Sequence, residues 1–253
     1  MRTSSQPRQP WRSKIRAPAW TVANLALAIS ALAGCGKSNE TLSAESLASS
    51  GSQTAVVPDS SALTAGGLVV GDKNFPMSAP NTCKLGQDNG LLLPDPRCTL
   101  GAIDPAVTQV NLTDTICKPG WRDKAYPSVS VDGRMKADSA RSYGLPPDYE
   151  SEYDHLFSRM LGGSSEDPRN RWPQPEARPN PKDRIEIALH ESVCAGMISL
   201  AAAQQAIAAN WVTAAEGACL QLIGDSNKPV EQSKVCLRGN PIKCRTLHKS
   251  YDD

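Results

Sequence analysis

The chain has 253 residues, of which 20 are proline and 18 are glycine, while aromatic residues make up only 5%. Because single domains commonly span about 100–150 residues, this length and composition predict one medium domain with long extensions. The 27 basic residues nearly balance the 26 acidic ones. That balance excludes a protein-wide positive field for capturing nucleic acid, so any binding of phosphate must be local.

The N-terminus has the pattern of an export signal. Basic residues precede an apolar run over residues 22–33, and this run is shorter than the roughly 20 apolar residues that span a bilayer. The run ends in Leu32, Ala33, Gly34 and Cys35, which resemble the lipobox of bacterial lipoproteins. The resemblance implies cleavage before Cys35 and lipidation of its thiol. An ordinary cleaved signal or a short membrane anchor is the alternative.

Four segments follow from this start. We expect a signal peptide over residues 1–34, a flexible lipid-anchored linker over 35–80, a folded domain over 81–215 and a cysteine-containing tail over 216–253. The linker is rich in Ser, Ala, Gly and Thr and has too little apolar area to order itself, which predicts a disordered tether. The protein would be extracytoplasmic and anchored by lipid to a bacterial membrane, the outer one where the cell has two.

Export permits disulfides. Seven cysteines follow Cys35 without any Cys-x-x-Cys pair, which argues against a zinc knuckle. At most three disulfides form, and the odd cysteine leaves a reactive thiol, an intermolecular bridge or a partly reduced set. We interpret Cys98, Cys117 and Cys194 as structural disulfide residues whose pairing the sequence does not assign. Cys194 is suited to fasten its helix to the N-terminal part of the domain.

Helices are predicted mainly in the second half of the domain. Residues 106–112 fit a short helix or a strand, and residues 135–143 are weakly helical before a glycine. A clear helix over 181–194 begins with a proline suited to its first turn, and a second over 199–216 has Ser199 available as its N-cap. We expect these two helices to pack as a hairpin.

Polar residues suited to bind a metal ion recur in order along the domain. Asp154 and His155 come first, and the helix over 181–194 carries Asp183, Glu186 and His190. Their spacing of three and four residues predicts one polar helix face. In a phosphodiesterase, a carboxylate binds a divalent cation while an imidazole takes a proton from water.

Several motifs together resemble a bacterial and phage group of HNH nuclease-like proteins over roughly residues 95–213. The resemblance is carried by Asp95-Pro96-Arg97-Cys98-Thr99, Thr115-Ile116-Cys117, Tyr143-Gly144-Leu145-Pro146, Asp154-His155-Leu156, Leu161-Gly162-Gly163, Asp167-Pro168-Arg169-Asn170, Trp172-Pro173, Lys182-Asp183-Arg184, Leu189-His190 and Val193-Cys194. It implies an α+β fold with a small ββα-metal core, added helices and disulfides.

The resemblance also implies site roles. Asp154 resembles a metal ligand, His155 the general base, Asn170 the central catalytic asparagine and His190 the helical metal ligand. Glu186 and Asp183 would bind the metal or orient an imidazole. The implied cofactor is a divalent ion, Mg²⁺ first and Zn²⁺, Mn²⁺ or Ni²⁺ as alternatives. A local basic patch for phosphate is formed by Arg169, Arg171 and Lys182.

Each of these residues also has a structural interpretation. Asp154 and His155 can form a hydrogen-bonded pair, and Asn170 can satisfy its own turn. His190 can be an ordinary half-buried helix residue. The basic residues can form a solvated face.

One departure from the group bears on activity. Met160 stands where the group usually has a glutamate, and Arg171 replaces a common leucine. The leading hypothesis is a membrane-tethered, metal-dependent HNH-like endonuclease that hydrolyses nucleic-acid phosphodiester bonds, with DNA favoured over RNA. The alternative is a noncatalytic envelope lipoprotein that keeps a degenerate HNH-like scaffold for structure or partner binding.

Overall fold

The computed structural model describes residues 68–125, 133–146, 148–175, 180–225, 228–240 and 242–248. These residues form an α+β structure of short helices and small sheets, which confirms the α+β part of the predicted fold class. The expected signal peptide, Cys35 and most of the expected linker lie outside the described residues.

The described strands pair into four small sheets. β1 pairs in parallel with β4, while β2 with β3 and β5 with β6 form antiparallel pairs, and β7, β8 and β9 form an antiparallel sheet in that order. Their bounds are β1 (Val69–Val70), β2 (Gly86–Asp88), β3 (Leu91–Leu93), β4 (Ala102–Ile103), β5 (Ser151–His155), β6 (Arg171–Pro175), β7 (Leu220–Ile223), β8 (Lys234–Leu237) and β9 (Cys244–Thr246).

The α-helices of the described residues lie in two groups, one between β4 and β5 and one between β6 and β7. The α-helices are α1 (Trp121–Ala125), α2 (Gly133–Ser142), α3 (Pro181–Cys194), α4 (Leu200–Ala209) and α5 (Ala214–Gly217). Short 3-10 helices cover Gln109–Asp114, Arg159–Leu161, Pro168–Asn170, Trp211–Thr213 and Val230–Gln232. None of the helices in the described ranges is long and apolar enough to cross a membrane.

The helix predicted over residues 181–194 is present as α3 with those bounds. Its N-cap is Asn180, whose side chain accepts a hydrogen bond from the backbone N–H of Lys182 at 3.0 Å. This contact satisfies one of the N–H groups that a helix start leaves without a partner. Gly196 follows in the left-handed region at φ 65°, which ends the helix.

The helix predicted over residues 199–216 is divided. Ser199 caps α4 as expected by accepting from the N–H of Ala202, but the helix ends at Asn210. The side chain of Asn210 caps the next turn and bonds to Asp88 at 2.6 Å, while the indole of Trp211 donates to the carbonyl of Leu92 at 2.9 Å. These contacts with the β2–β3 hairpin break the helix in two.

The main hydrophobic core brings α3 and α4 against the C-terminal sheet. Leu189, Ile207, Leu220, Val235 and Leu247 each have no measurable exposure and belong to one cluster. Residues from the tail predicted over 216–253 therefore pack into the same core as the domain predicted over 81–215. At the other end, Leu68 also belongs to this cluster, although it precedes that range.

Disulfides are present, as the sequence predicts. They join Cys83 to Cys98, Cys117 to Cys194 and Cys236 to Cys244. No cysteine in the described part of the chain is a free thiol. The second bond ties the end of α3 to a segment 77 residues earlier, so the fastening role expected for Cys194 is confirmed.

Candidate functional site

The predicted site residues lie around the β5–β6 hairpin and the helix α3 that follows it. Antiparallel pairing sets Asp154 opposite Trp172 and His155 opposite Arg171. Trp172 has no measurable exposure, so this end of the hairpin is anchored in the protein interior. The last two residues of β5, Asp154 and His155, therefore lie beside α3.

The ammonium of Lys182 occupies the space between the hairpin and α3. It donates to the carbonyl oxygen of His155 at 2.6 Å and lies 2.8 Å from Asp154 Oδ2. It also makes a close ion pair with Glu186, one helical turn further along α3. The ammonium thus makes hydrogen bonds to His155 and Glu186 and an ion pair with Asp154.

The electrostatics of this cluster keep Lys182 charged. Burial of the side chain, which is 1% exposed, lowers its pKa. The attraction of Asp154 and Glu186 outweighs that effect and raises the pKa of Lys182 above its ordinary value. A fixed cation is thus already paired with the carboxylates that the sequence assigns to a metal ion. This arrangement does not fit a divalent cation, because an ion bound by the two carboxylates would have to displace the ammonium from them.

His155 is a buried, neutral imidazole. Burial and the nearby charges of Arg171, Arg159 and Lys182 lower the pKa of His155 well below 6.5. In the neutral ring, Nε2–H donates to the carbonyl oxygen of Ser165 at 3.3 Å, which leaves Nδ1 without the proton. The ring is in the form that a base requires, but a depressed pKa makes it a weak one.

Asn170 is fully buried and all four of its hydrogen-bonding positions are used within the protein. Its Oδ1 accepts from the N–H of Phe157 at 2.8 Å and of Ala102 at 3.5 Å. Its Nδ2 donates to the carbonyl oxygens of Phe157 at 3.0 Å and Ser164 at 2.8 Å. The asparagine therefore fixes the loop between β5 and β6, which leaves its amide no group for a substrate.

The same loop explains the glycine pair after Leu161. A Cβ atom on Gly163 would lie 1.8 Å from the carbonyl oxygen of Phe157, a distance that no side chain tolerates. Gly162 has φ 70°, in the left-handed region that glycine adopts without cost. Gly163 is thus required by the close approach of the loop to Phe157, and Gly162 by its left-handed backbone.

Arg169, predicted to bind phosphate, is engaged inside the protein. Its guanidinium pairs with Asp167 at 2.7 Å and donates to the carbonyl oxygen of Val70 at 3.1 Å. The ring of Phe75 lies 3.9 Å from the guanidinium carbon. With its side chain 7% exposed, Arg169 joins the β6 region to the N-terminal strand β1.

The other two predicted phosphate ligands are also used within the protein. Arg171 donates to the carbonyl oxygens of Tyr153 at 2.7 Å and Ser165 at 2.8 Å. Lys182 is buried at the centre of the cluster described above. All three predicted phosphate ligands therefore form hydrogen bonds or ion pairs with backbone carbonyls and carboxylates of the protein.

The polar face predicted on α3 is only partly present. Asp183 is exposed in the first turn, whereas Glu186 is buried against Lys182. His190 lies a further turn along the helix. At 1.5 Å per residue it is about 12 Å from Lys182 along the axis. The structure brings Asp154 and Glu186 together at Lys182, but it does not bring His190 to them.

His190 belongs to a second cluster, at the C-terminal end of α3. Its Nε2 donates to the carbonyl oxygen of Ile116 at 2.9 Å and lies 3.4 Å from Cys194 Sγ. In the described part of the chain, Cys117, His190 and Cys194 are the only group of three metal-ligand residues whose ligand atoms lie within 4.8 Å of one another. The group could hold a metal ion, although its two cysteines form a disulfide.

A cavity of about 370 Å³ opens beside His190. Met160 faces the same cavity as His190 and adds an apolar wall there. The remaining lining residues are Ile116, Cys117, Lys118, Pro119, Gly120, Trp121, Arg122 and Arg159.

Two features of these clusters were missed in the sequence. The sequence predicts Lys182 as a phosphate ligand, although a spacing of four residues from Glu186 is a known signal for an ion pair on a helix. No local pattern signals its contact with Asp154, which depends on how α3 packs against β5. The approach of Cys117 to His190 likewise depends on a long-range disulfide.

Comparison of the chain with protein-family models, with curated proteins and with solved structures gives no match.

Proposed function

We propose that this chain is a noncatalytic, lipid-anchored extracytoplasmic protein in which an HNH-like ββα scaffold serves structure and partner binding. The observation that carries the proposal is the Lys182 ammonium between Asp154 and Glu186. A nuclease of this type needs a divalent cation at the carboxylate beside the general base. Here a protein cation holds that carboxylate.

The order of elements supports the HNH-like part of the proposal. β5 ends in Asp154 and His155, β6 pairs with it, and α3 follows directly after the hairpin. This is the strand, strand, helix order that the resemblance implies. The buried, fully bonded Asn170 supports a scaffold role because it serves the loop between the strands.

The extracytoplasmic part of the proposal rests on the sequence of the N-terminus and on the cysteines. The apolar run over residues 22–33 and the lipobox-like residues up to Cys35 favour export and lipidation. Three disulfides are suited to an oxidising compartment. Near-neutral net charge gives no support to nucleic acid as the partner.

The cavity beside His190 is where we expect a partner to bind. Ligand sites in proteins are concave, mostly apolar and roughly 300–1,000 Å³ in volume. This cavity of about 370 Å³ combines the apolar side chains of Trp121 and Met160 with basic ones. Its chemistry suits a small ligand, or a side chain of a partner protein, that has an apolar body and a negative charge.

The rival function is a metal-dependent HNH-like endonuclease acting on DNA, with Mg²⁺ as the first candidate cofactor. It is favoured by the strand, strand, helix order and by the neutral form of His155, which is able to accept a proton. It requires a cation to enter at Asp154 against Lys182. The two functions therefore differ in one measurable property, metal-dependent cleavage.

The decisive experiment incubates the full chain with supercoiled plasmid in Mg²⁺, Mn²⁺, Zn²⁺ or Ni²⁺, beside a His155→Ala variant prepared in the same way. We expect both proteins to leave the plasmid at the level of a protein-free control. Nicking by the native chain that needs metal and disappears in His155→Ala would overturn the proposal and establish the rival.

A further inference from the structure

The Cys117–Cys194 disulfide lies directly beside a histidine that faces its sulfur atoms. Cys194 and His190 are four residues apart on α3, which sets them on one face of the helix. His190 Nε2 lies 3.4 Å from Cys194 Sγ, and the ligand atoms of both residues lie within 4.8 Å of that of Cys117. No second histidine or carboxylate in the described residues completes such a group at another disulfide.

We propose that reduction of the Cys117–Cys194 disulfide converts this cluster into a binding site for one zinc ion, held by two thiolates and the imidazole of His190. Zn²⁺ takes thiolate and imidazole ligands in tetrahedral geometry. Two thiolates and a neutral imidazole balance the charge of the ion. Harder ions such as Mg²⁺ prefer oxygen ligands, and the cluster contains none.

The surroundings give the reductant and the fourth ligand a route to the site. Cys194 is exposed, while Cys117 and His190 are half-buried. Cys117 and His190 also line the cavity of about 370 Å³, which has room for a water molecule. Three protein ligands with a water on the open side form a complete tetrahedral set.

The end of α3 favours a cation at this place. Cys194 is the last residue of the helix, where the helix dipole presents partial negative charge. Lys118, Arg122 and Arg159 line the cavity nearby and favour the thiolate form of the two cysteines. The helix end therefore favours the ion, and the basic side chains favour the thiolates that bind it.

The chemistry balances with a dithiol as the reductant. The dithiol supplies two electrons and two protons, the sulfur–sulfur bond breaks to give two thiols, and the dithiol leaves as its own disulfide. Zinc then displaces both thiol protons to solvent. The proton on His190 Nε2, which is donated to Ile116, moves through solvent to Nδ1, so that the Nε2 lone pair is available to the metal.

The test uses the full chain, oxidised or reduced with a phosphine that does not compete for the metal, and Co²⁺ as a spectroscopic substitute for Zn²⁺. The reduced protein is expected to take up one Co²⁺ with thiolate-to-cobalt charge-transfer absorption that Zn²⁺ abolishes. The oxidised protein is expected to show no such absorption. Far-ultraviolet circular dichroism follows the fold in parallel.

Two histidine variants provide a matched comparison, because they contain the same number of thiols. His190→Ala is expected to weaken Co²⁺ binding by about tenfold or more, while His248→Ala leaves it unchanged. A double variant, Cys236→Ser with Cys244→Ser, removes the Cys236–Cys244 disulfide and is also expected to leave Co²⁺ binding unchanged. Equal binding by the two histidine variants, no uptake after reduction, or loss of the fold on reduction would each overturn the proposal.

Discussion

Lys182 and Asp154 join α3 to β5 through an ion pair in which Nζ lies 2.8 Å from Oδ2. The same ammonium is bonded to the carbonyl oxygen of His155 and paired with Glu186. One buried lysine therefore engages the residue predicted as metal ligand, the backbone of the residue predicted as base, and a predicted supporting carboxylate. In the proposed function, this side chain takes the place that a metal ion would need at Asp154.

Replacing Lys182 with methionine should destabilise the protein severely. Lys182→Met removes the ammonium and leaves two carboxylates facing each other with no cation, and breaking a buried pair in this way costs about 3–5 kcal/mol. The free energy of unfolding in urea, measured with the disulfides intact, checks this loss. Lys228→Met, at an exposed lysine, is the control and should change stability by about 0.5 kcal/mol or less.

A second variant separates charge from packing. Adding Glu186→Gln to Lys182→Met removes one of the unpaired charges, so the double variant should be more stable than Lys182→Met alone. If the single variant is as stable as the Lys228→Met control, the ion pair does not organise this region.

Asn170→Ala should destabilise the loop between β5 and β6. The substitution leaves the N–H and C=O of Phe157 without their partner, and each buried group left unsatisfied costs about 1–3 kcal/mol. We therefore expect a loss of at least about 2 kcal/mol in chemical denaturation. Asn74→Ala, at an exposed asparagine, should have little effect. Equal stability of the two variants would argue that Asn170 has a role other than holding the loop.

Stability should fall in mild acid because of His155. Burial and the neighbouring Arg171 depress the pKa of His155 in the folded protein well below 6.5. The unfolded chain takes up a proton near 6.5, so this contribution to stability is complete above that pH and is lost as the pH falls below it. In the His155→Gln variant, the free energy of unfolding should fall less steeply between neutral and acidic pH. His248→Gln, which alters an exposed histidine, should keep the pH dependence of the native chain. A slope in His155→Gln equal to that of the native chain would contradict the prediction.

Two of the disulfides that join described residues should contribute unequally. Cys117 and Cys194 are 77 residues apart and Cys236 and Cys244 are 8 apart, and the entropy of closing these loops corresponds to about 4.5 and about 2.6 kcal/mol. Replacing the first pair with serines should therefore lower the unfolding free energy more than replacing the second. The reverse order, measured under the same nonreducing conditions, would show that native contacts and not loop length decide the contribution.

The sequence predicted the local structure best where the signal is local. Pro181 predicts the start of α3, and Ser199 predicts the start of α4. The division of the second helix at Asn210 could not be predicted, because it depends on contacts of Asn210 and Trp211 with a hairpin more than 100 residues earlier. The C-terminal residues are predicted as a separate cysteine-containing tail, yet Leu220 and Val235 complete the core.

The sequence names the residues around Lys182 but does not predict how they are grouped. The sequence predicts Asp154 and Glu186 as metal-site residues, and it predicts Lys182 as a ligand for a substrate phosphate. Only the packing of α3 on β5 reveals that the lysine is the partner of the two carboxylates. His190 was grouped with Asp154 by motif order, whereas the Cys117–Cys194 disulfide and the carbonyl of Ile116 hold it at the other end of the helix.

The binding of Mn²⁺ to the oxidised full chain tests the central claim most directly, because Mn²⁺ prefers oxygen ligands and gives a paramagnetic resonance signal when free in solution. The native chain and an Asp154→Asn variant are titrated side by side. Since the ammonium of Lys182 holds Asp154, we expect both proteins to leave the free Mn²⁺ signal equally undiminished. Saturable binding of Mn²⁺ by the native chain that is lost in Asp154→Asn would contradict the account and restore Asp154 as a metal ligand.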